Sequence, residues 1–276
     1  MPRIDGHQHF WKFDPVRDSW INDDMRVIQR DFYPEDLMPT LHASSFEGCI
    51  SVQADQSSDE NKFLLGLAAG NEFIRGIVGW VDLQARDLHE QLSLYKGSKV
   101  IKGFRHILQG EQQRDFMLRP DFMRGISMLQ MFGYTYDILI FPDQLQNAKT
   151  FIEAFPDQPF VIDHIAKPYI RDKKLTEWKR DIIDISTYEN VYCKVSGMVT
   201  EAEWFHWKKS DFRPYLDVVL ESFGPSRLMF GSDWPVCLVA ATYASVVDVV
   251  TEYFAALSKS EQDDIFGNTA VKFYNL

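Results

Sequence analysis

Pro2-Arg3-Ile4-Asp5-Gly6-His7-Gln8-His9 stands at the start of the chain and reads as a short strand ending in two histidines one residue apart. Residues two apart on a strand face the same side, so both imidazoles project together from its carboxyl end. That is the arrangement of a metal or proton-transfer site. A second polar cluster, Gly231-Ser232-Asp233-Trp234-Pro235, ends another apolar run more than two hundred residues later. A closed fold is what brings two such distant strand ends together.

Between these points, apolar and β-branched runs alternate with helical patterns. Strands are expected near 3–7, 47–53, 74–82, 99–105, 135–140, 159–163, 190–195 and 227–231. Several, such as Gly48-Cys49-Ile50-Ser51-Val52 and Phe160-Val161-Ile162, are continuously apolar, as parallel strands covered on both faces are. Helix starts are marked by Pro34, by Ser57 with Glu60 in a capping-box pattern, by Pro120 and by Pro142. Further helices are expected at 176–187, 212–223 and 240–257 from apolar stripes at helical spacing. Eight strand–helix units in 276 residues fit a (β/α)8 TIM barrel, an α/β fold of about 250 residues, spanning 1–276 as a single domain. No GxGxxG or Walker-type loop suggests an open doubly wound sheet instead. The stretch from His9 to Asp31 then forms a loop over the barrel mouth.

The chain is 45% hydrophobic and 25% charged with a net charge of −11, which disfavours nucleic acid and an anionic membrane as partners. A small molecule is the expected partner, and the oligomeric state is not legible. Cys49, Cys193 and Cys237 are an odd number at wide spacing and read as buried free thiols. With no signal peptide or long apolar span, a cytoplasmic protein is expected.

In such a barrel the active site lies at the carboxyl ends of the strands. Those ends supply His7 and His9, Gln53, Arg105 and His106, Asp163, His164 and Lys167, Lys194 and Ser196, and Asp233; strands three and five give only Trp80 or Asp82, and Phe141 or Asp143. His106 reads equally as a hydrogen-bonded structural residue, and His42, His89 and His206 as surface residues. Trp11, Trp20 and Trp234 are either packing aromatics or pocket walls.

These residues resemble the amidohydrolase superfamily, in its second large branch of lactonases and decarboxylases. The likeness is carried by His7-x-His9, His164 and Asp233, together with Arg30-Asp31-Phe32-Tyr33-Pro34-Glu35-Asp36-Leu37, Gly103-Phe104-Arg105-His106, Asp163-His164-x-x-Lys167-Pro168, Cys193-Lys194-Val195-Ser196-Gly197, Phe230-Gly231-Ser232-Asp233-Trp234-Pro235 and Gly267-Asn268-Thr269-Ala270. Within that branch the pattern is most similar to sugar lactonases of the L-fuconolactone hydrolase type, with L-rhamnono-lactonases as near neighbours. Strand four has no bridging lysine or glutamate and strand five no histidine, so a binuclear metal centre is not expected.

The resemblance implies a hydrolase that opens a sugar lactone to its aldonic acid, in L-fucose or related carbohydrate catabolism. Asp233 would be the general base, a role worth about 10²- to 10⁴-fold. His164 and Arg105 would stabilise the oxyanion. His106, Lys194, Trp11, Trp234 and Gln53 would bind substrate. One divalent metal, zinc, would sit on His7, His9 and Asp233, with His164 or water completing the site; some members of the branch work without metal. A metal-dependent decarboxylase of the same branch and a non-catalytic sugar-acid-binding barrel are the alternatives, told apart by carbon dioxide release and by binding without turnover. Which sugar is used is set by loops whose placement the sequence does not give.

Overall fold

The computed structural model describes residues 2–276, and among these eight parallel strands lie in the order β1 (Ile4–Gln8), β2 (Gly48–Val52), β3 (Ile74–Gly79), β4 (Ile101–His106), β5 (Thr135–Ile138), β6 (Phe160–Ile162), β7 (Val191–Val195) and β8 (Leu228–Phe230). Each is followed by helix: α1 (Pro34–Ala43), α2 (Ser58–Gly70), α3 (Leu88–Ser93), α4 (Pro120–Phe132), α5 (Leu145–Glu153), α6 (Thr176–Ser186), α7 (Lys209–Phe223) and α8 (Tyr243–Phe254), with α9 (Lys259–Asp263) and α10 (Thr269–Tyr274) closing the chain. Strand order equal to chain order, with a helix after each strand, is the (β/α)8 barrel that the hydrophobic runs predict.

The helix starts lie where the sequence marks them. Pro34 and Pro120 occupy the first turns of α1 and α4, and the Ser57 hydroxyl accepts from the Glu60 N–H. Glu60 does not return the bond as a capping box would; its carboxylate accepts instead from the Ala54 N–H at 2.8 Å, pinning the β2 loop. Pro142 opens a short 3-10 turn, Pro142–Gln144, that leads into α5. The expected strand over 74–82 stops at Gly79. Asn61 is the reason: its side-chain oxygen accepts the Trp80 N–H (2.8 Å) and its amide donates to the Trp80 carbonyl (2.6 Å), so no neighbouring strand can use them. The strand expected over 135–140 ends at Ile138, and the Leu139 carbonyl instead receives the Gln109 N–H at 3.0 Å. The six-residue α3 has no helix-start signal in the sequence reading.

The seam between β8 and β1 is closed by short backbone bonds, Asp233 N–H to the His7 carbonyl (2.8 Å) and His9 N–H to the Trp234 carbonyl (2.7 Å). Asp5 reinforces it from within: one carboxylate oxygen accepts from the His7 and Ser232 N–H groups (3.1 and 2.9 Å), the other from the Tyr243 hydroxyl (3.1 Å). Burial pushes the Asp5 carboxyl up to about 6 against the pull of these donors. The residues 9–31 do cross the barrel mouth, tied down by a bridge between Trp11 and Phe32 and by a 3-10 turn over Asp23–Ile28. The three cysteines are free and buried. Among the described residues no helix is long and apolar enough to cross a membrane.

Because Tyr243 donates to a buried carboxylate oxygen, Tyr243→Phe leaves that oxygen unpaired and lowers stability by about 1–3 kcal/mol; a denaturant titration is expected to show a lower midpoint with an unchanged slope.

Candidate functional site

His7 and His9 leave the end of β1 on one side, as the two-residue spacing requires, with their Nε2 atoms 3.1 Å apart. His9 Nδ1 lies 2.8 Å from the Val52 carbonyl, which can only accept, so Nδ1 carries the proton and Nε2 faces the site. Asp233 reaches the same point from the end of β8. Its Oδ1 lies 3.5 Å from His9 Nε2 and 3.9 Å from Nε2 of both His7 and His164, while Oδ2 has no protein hydrogen-bond partner among the described residues. His7, His164 and Asp233 offer ligand atoms that all lie within 4.8 Å of one another, so His164 belongs to the cluster and His9 flanks it.

Below this cluster is a buried layer of charge. Asp163 at the end of β6 accepts from Arg105 Nη1 at 3.0 Å through one oxygen; the other lies 3.0 Å from Lys194 Nζ and 3.3 Å from His7 Nδ1. Lys194 also donates to Asp137 at 2.5 Å, and Asp137 accepts from the Tyr274 hydroxyl at 2.8 Å. Burial alone would raise the Asp163 carboxyl, but Lys194, His7 and Arg105 together hold it well below the carboxylate range. Asp137, with less compensation, is pushed up to about 6 by burial. Burial drives the His7 and His164 imidazoles well below the ordinary histidine value, so both are uncharged at neutral pH. Burial opposes ionisation of Asp233, yet His164, His9 and Lys167 outweigh it and keep the carboxyl below its ordinary value.

The backbone that presents His164 is unusual. His164, Ile165, Ala166 and Lys167 are all left-handed, with φ of +55°, +48°, +58° and +46°. Each such residue costs about 1–2 kcal/mol without a compensating contact. Here Trp178 donates its indole N–H to the Ile165 carbonyl (2.8 Å), Ser196 bonds His164 Nδ1 (2.9 Å), and Gly197 lies so close that a Cβ there would sit 2.6 Å from the His164 ring. A non-glycine residue at 197, itself at φ +63°, would displace the ring.

The cavity above holds about 290 Å³ and is lined by His9, Trp11, Trp20, Ala54, Arg105, Ile107, Gln109, Gly110, Leu139, His164, Lys167, Asp233 and Val236. Trp11 and Trp20 are thus pocket walls. Four expected substrate residues are not at this surface. Trp234 is 3% exposed and packs edge-on against Phe10 and Phe32, with centroids 6.1 and 5.1 Å apart. His106 follows the inward-facing Arg105 and so points out of the barrel, stacked on Phe116 and bonded to Glu111 at 2.7 Å. Lys194 points inward but lies fully buried beneath the cavity, held by Asp137 and Asp163. Gln53 turns its carbonyl to Arg105 Nη2 (2.5 Å) and so holds that side chain in place. His42, His89 and His206 are exposed, as the sequence suggests. Asp137 and Glu201 are not among the strand-end residues expected at the site. Asp137 had a signal, a charge inside the apolar run of a buried strand; Glu201, in the loop after β7, had none.

The donor set fits one divalent ion. With its proton on Nδ1 toward Asp163, His7 turns the Nε2 lone pair toward that of His9 at 3.1 Å, a repulsion that a cation relieves. With its proton on Nε2, His7 donates to His9 and accepts from Lys194 at 3.2 Å, so the ion-free site is also satisfied. Uncharged buried imidazoles beside an ionised carboxylate are ligands of the kind zinc takes.

The amidohydrolase family profile matches residues 4–276. A Burkholderia multivorans protein named L-fucono-1,5-lactonase is 41% identical over 285 residues, covering 99% of this chain and 96% of that protein. A second L-fucono-1,5-lactonase, from Burkholderia ambifaria, is 31% identical over the same shares. The crystal structure of an amidohydrolase from Burkholderia multivorans with bound zinc superimposes with a TM-score of 0.96 at 41% identity, covering all of both chains.

Replacing Asp163 by Asn removes the negative charge between Lys194 and Arg105, leaving the buried Arg105 without its carboxylate and Lys194 with Asp137 alone. A loss of about 3–5 kcal/mol is expected in equilibrium unfolding. Because the folded-state pKa of Asp163 is depressed, its contribution is present above the ordinary carboxylate pKa and fades as the pH falls through the lower folded value. The wild-type and Asp163→Asn stabilities should therefore converge in acid.

Proposed function

Since the chain belongs to the amidohydrolase family, we propose that the Asp233 site opens a sugar lactone, L-fucono-1,5-lactone or a close relative, to the aldonic acid. The protein is a hydrolase acting on a lactone ester bond. The observation that carries the assignment to this site is Asp233: its Oδ1 is turned to three imidazoles, its Oδ2 has no protein partner among the described residues, and its carboxyl is held below the ordinary value by the groups around it.

Oδ2 takes the proton from a water molecule attacking the lactone carbonyl carbon and returns it to the ring oxygen as the C–O bond breaks. His164 is held by Ser196 with Nε2 toward Asp233, and it faces the reacting carbonyl from the same wall of the cavity. Arg105 contributes fixed positive charge; Nη1 and Nη2 are committed to Asp163 and Gln53, and Nε is without a partner. Trp11 and Trp20 supply apolar faces for the sugar ring. His7, His164 and Asp233, with His9 beside them, would hold a divalent ion, which when bound would supply Lewis acidity at this point of the cavity.

Asp233→Asn is expected to lower kcat by about 10²- to 10⁴-fold without unfolding the barrel, read as proton release from a panel of lactones including L-fucono- and L-rhamnono-lactone. Carbon dioxide release from an aromatic acid in place of acid release from any lactone would instead identify a decarboxylase. A base works only when deprotonated, and the Asp233 carboxyl lies below its ordinary 3.8. The acid limb of kcat/KM should therefore fall below about pH 4. Removal of metal by a chelator is expected to lower kcat/KM, and stoichiometric zinc to restore it. Full activity in a metal-free preparation would assign oxyanion stabilisation to protein donors alone.

A further inference from the structure

Among the described residues, Arg105 and Lys167 line the cavity and Lys194 lies directly beneath it, and two of these three cations are already engaged. Arg105 is bonded to Asp163 and Gln53, and Lys194 is sealed in beneath the cavity with Asp137 and Asp163. Lys167 differs from both. It lines the cavity, its side chain keeps 16% exposure, and its charge partner, Glu201 Oε1, stands 3.7 Å from Nζ, beyond hydrogen-bonding distance. Its backbone is fixed all the same. It closes the left-handed turn that begins at His164, and its N–H donates to the His164 carbonyl at 2.8 Å. A flexible four-carbon stem on a rigid base therefore carries an ammonium along the wall that also presents His164 and Asp233.

We propose that Lys167 is the cation of this site that contacts substrate: parked on Glu201 in the free enzyme, its ammonium moves to the lactone carbonyl oxygen, meets the charge of the tetrahedral intermediate and then holds the carboxylate of the aldonic acid. The inference rests on lactone hydrolysis and adds the residue that reads the acyl end of the substrate. In the reaction, the water oxygen bonds to the carbonyl carbon, the carbonyl electron pair moves to oxygen, and the water proton goes to Asp233. When the carbonyl re-forms, the bond to the ring oxygen breaks and that oxygen takes the proton back. The new carboxylic acid releases one proton to solvent, and Lys167 neither gives up nor takes a proton in the step.

Glu201 suits a parking role. Its carbonyl accepts the Arg171 N–H at 2.9 Å, which ties the β7 loop to the segment after Lys167. At 3.7 Å the resting pair is loose and readily left, and burial pushes the Glu201 carboxyl above the ordinary value against the attraction of Lys167.

Two readouts test this on the whole protein: calorimetric binding of L-fuconate, and proton release from L-fucono-1,5-lactone. Lys167→Met should lower kcat/KM by about 10²- to 10³-fold, the usual effect of losing one oxyanion donor. It should weaken L-fuconate about tenfold or more, with an unchanged thermal melt. Lys167→Arg should recover most of the L-fuconate binding, and ethylammonium should restore turnover to Lys167→Ala; a purely structural lysine would show neither rescue. Glu201→Gln should tighten L-fuconate, because the competing carboxylate charge is gone. The proposal is overturned if Lys167→Met binds L-fuconate as the wild type does, if neither rescue occurs, or if the wild type does not bind L-fuconate. A wild type that binds L-fuconate but hydrolyses no lactone would sink the lactonase reading, and the Lys167 comparison would still be decided by binding.

Discussion

The carboxylate of Asp163 is shared by Arg105, Lys194 and His7, all of them buried inside the barrel. In that setting each charge is tolerable only because the others are there, since an unpaired buried charge costs several kcal/mol. The consequence reaches upward. Asp163 stands against Nδ1 of the His7 ring, Nε2 of that ring faces His9, and Asp233 is placed against both imidazoles. A barrel of this kind is normally filled with branched apolar side chains. Here Asp137, Lys194 and Asp163 replace part of that filling, and the reacting groups are held from below by charge as well as from the sides by packing.

A second constraint is conformational. Four successive left-handed residues, His164–Lys167, are unfavourable for L-amino acids, and they persist because Trp178, Ser196 and the bare backbone of Gly197 over-determine the turn. The turn sets two side chains at once. His164 is pressed inward toward Asp233, and Lys167 emerges three residues later on the cavity wall. Strain of this kind confined to a site argues that position, more than the stability of the segment, is what the local sequence serves.

Much of the architecture was legible because its causes are local. Continuous apolar runs set eight buried strands, Pro34 and Pro120 opened helices at their first turns, and the alternation of strand and helix led to a parallel barrel. The His7/His9 spacing placed both imidazoles on one side for the same reason. The end of a strand is not the same as the wall of the cavity. Arg105 and His106 are neighbours, and the two-residue period sends one inward and the other into an aromatic layer with Phe116 and Phe122. Trp234 follows Asp233 and was diverted between Phe10 and Phe32 in the same way. Lys194 faces inward but one layer too deep.

By itself, then, the sequence determined the strand–helix alternation, the pairing of the first and last strands across more than two hundred residues, and the placing of His7, His9, His164 and Asp233 at strand ends, which the barrel brings together, since each depends on period and on residue type at a strand end. Tertiary structure alone decided which cations are free. Arg105, Lys194 and Lys167 are equivalent as letters. Whether each is neutralised by Asp163 and Asp137 or stands in a cavity with Glu201 as a looser partner is settled by depth in the barrel and by residues about thirty to sixty positions away along the chain. Coulombic attraction and desolvation depend on distances through space, and spacing along the chain carries no record of them.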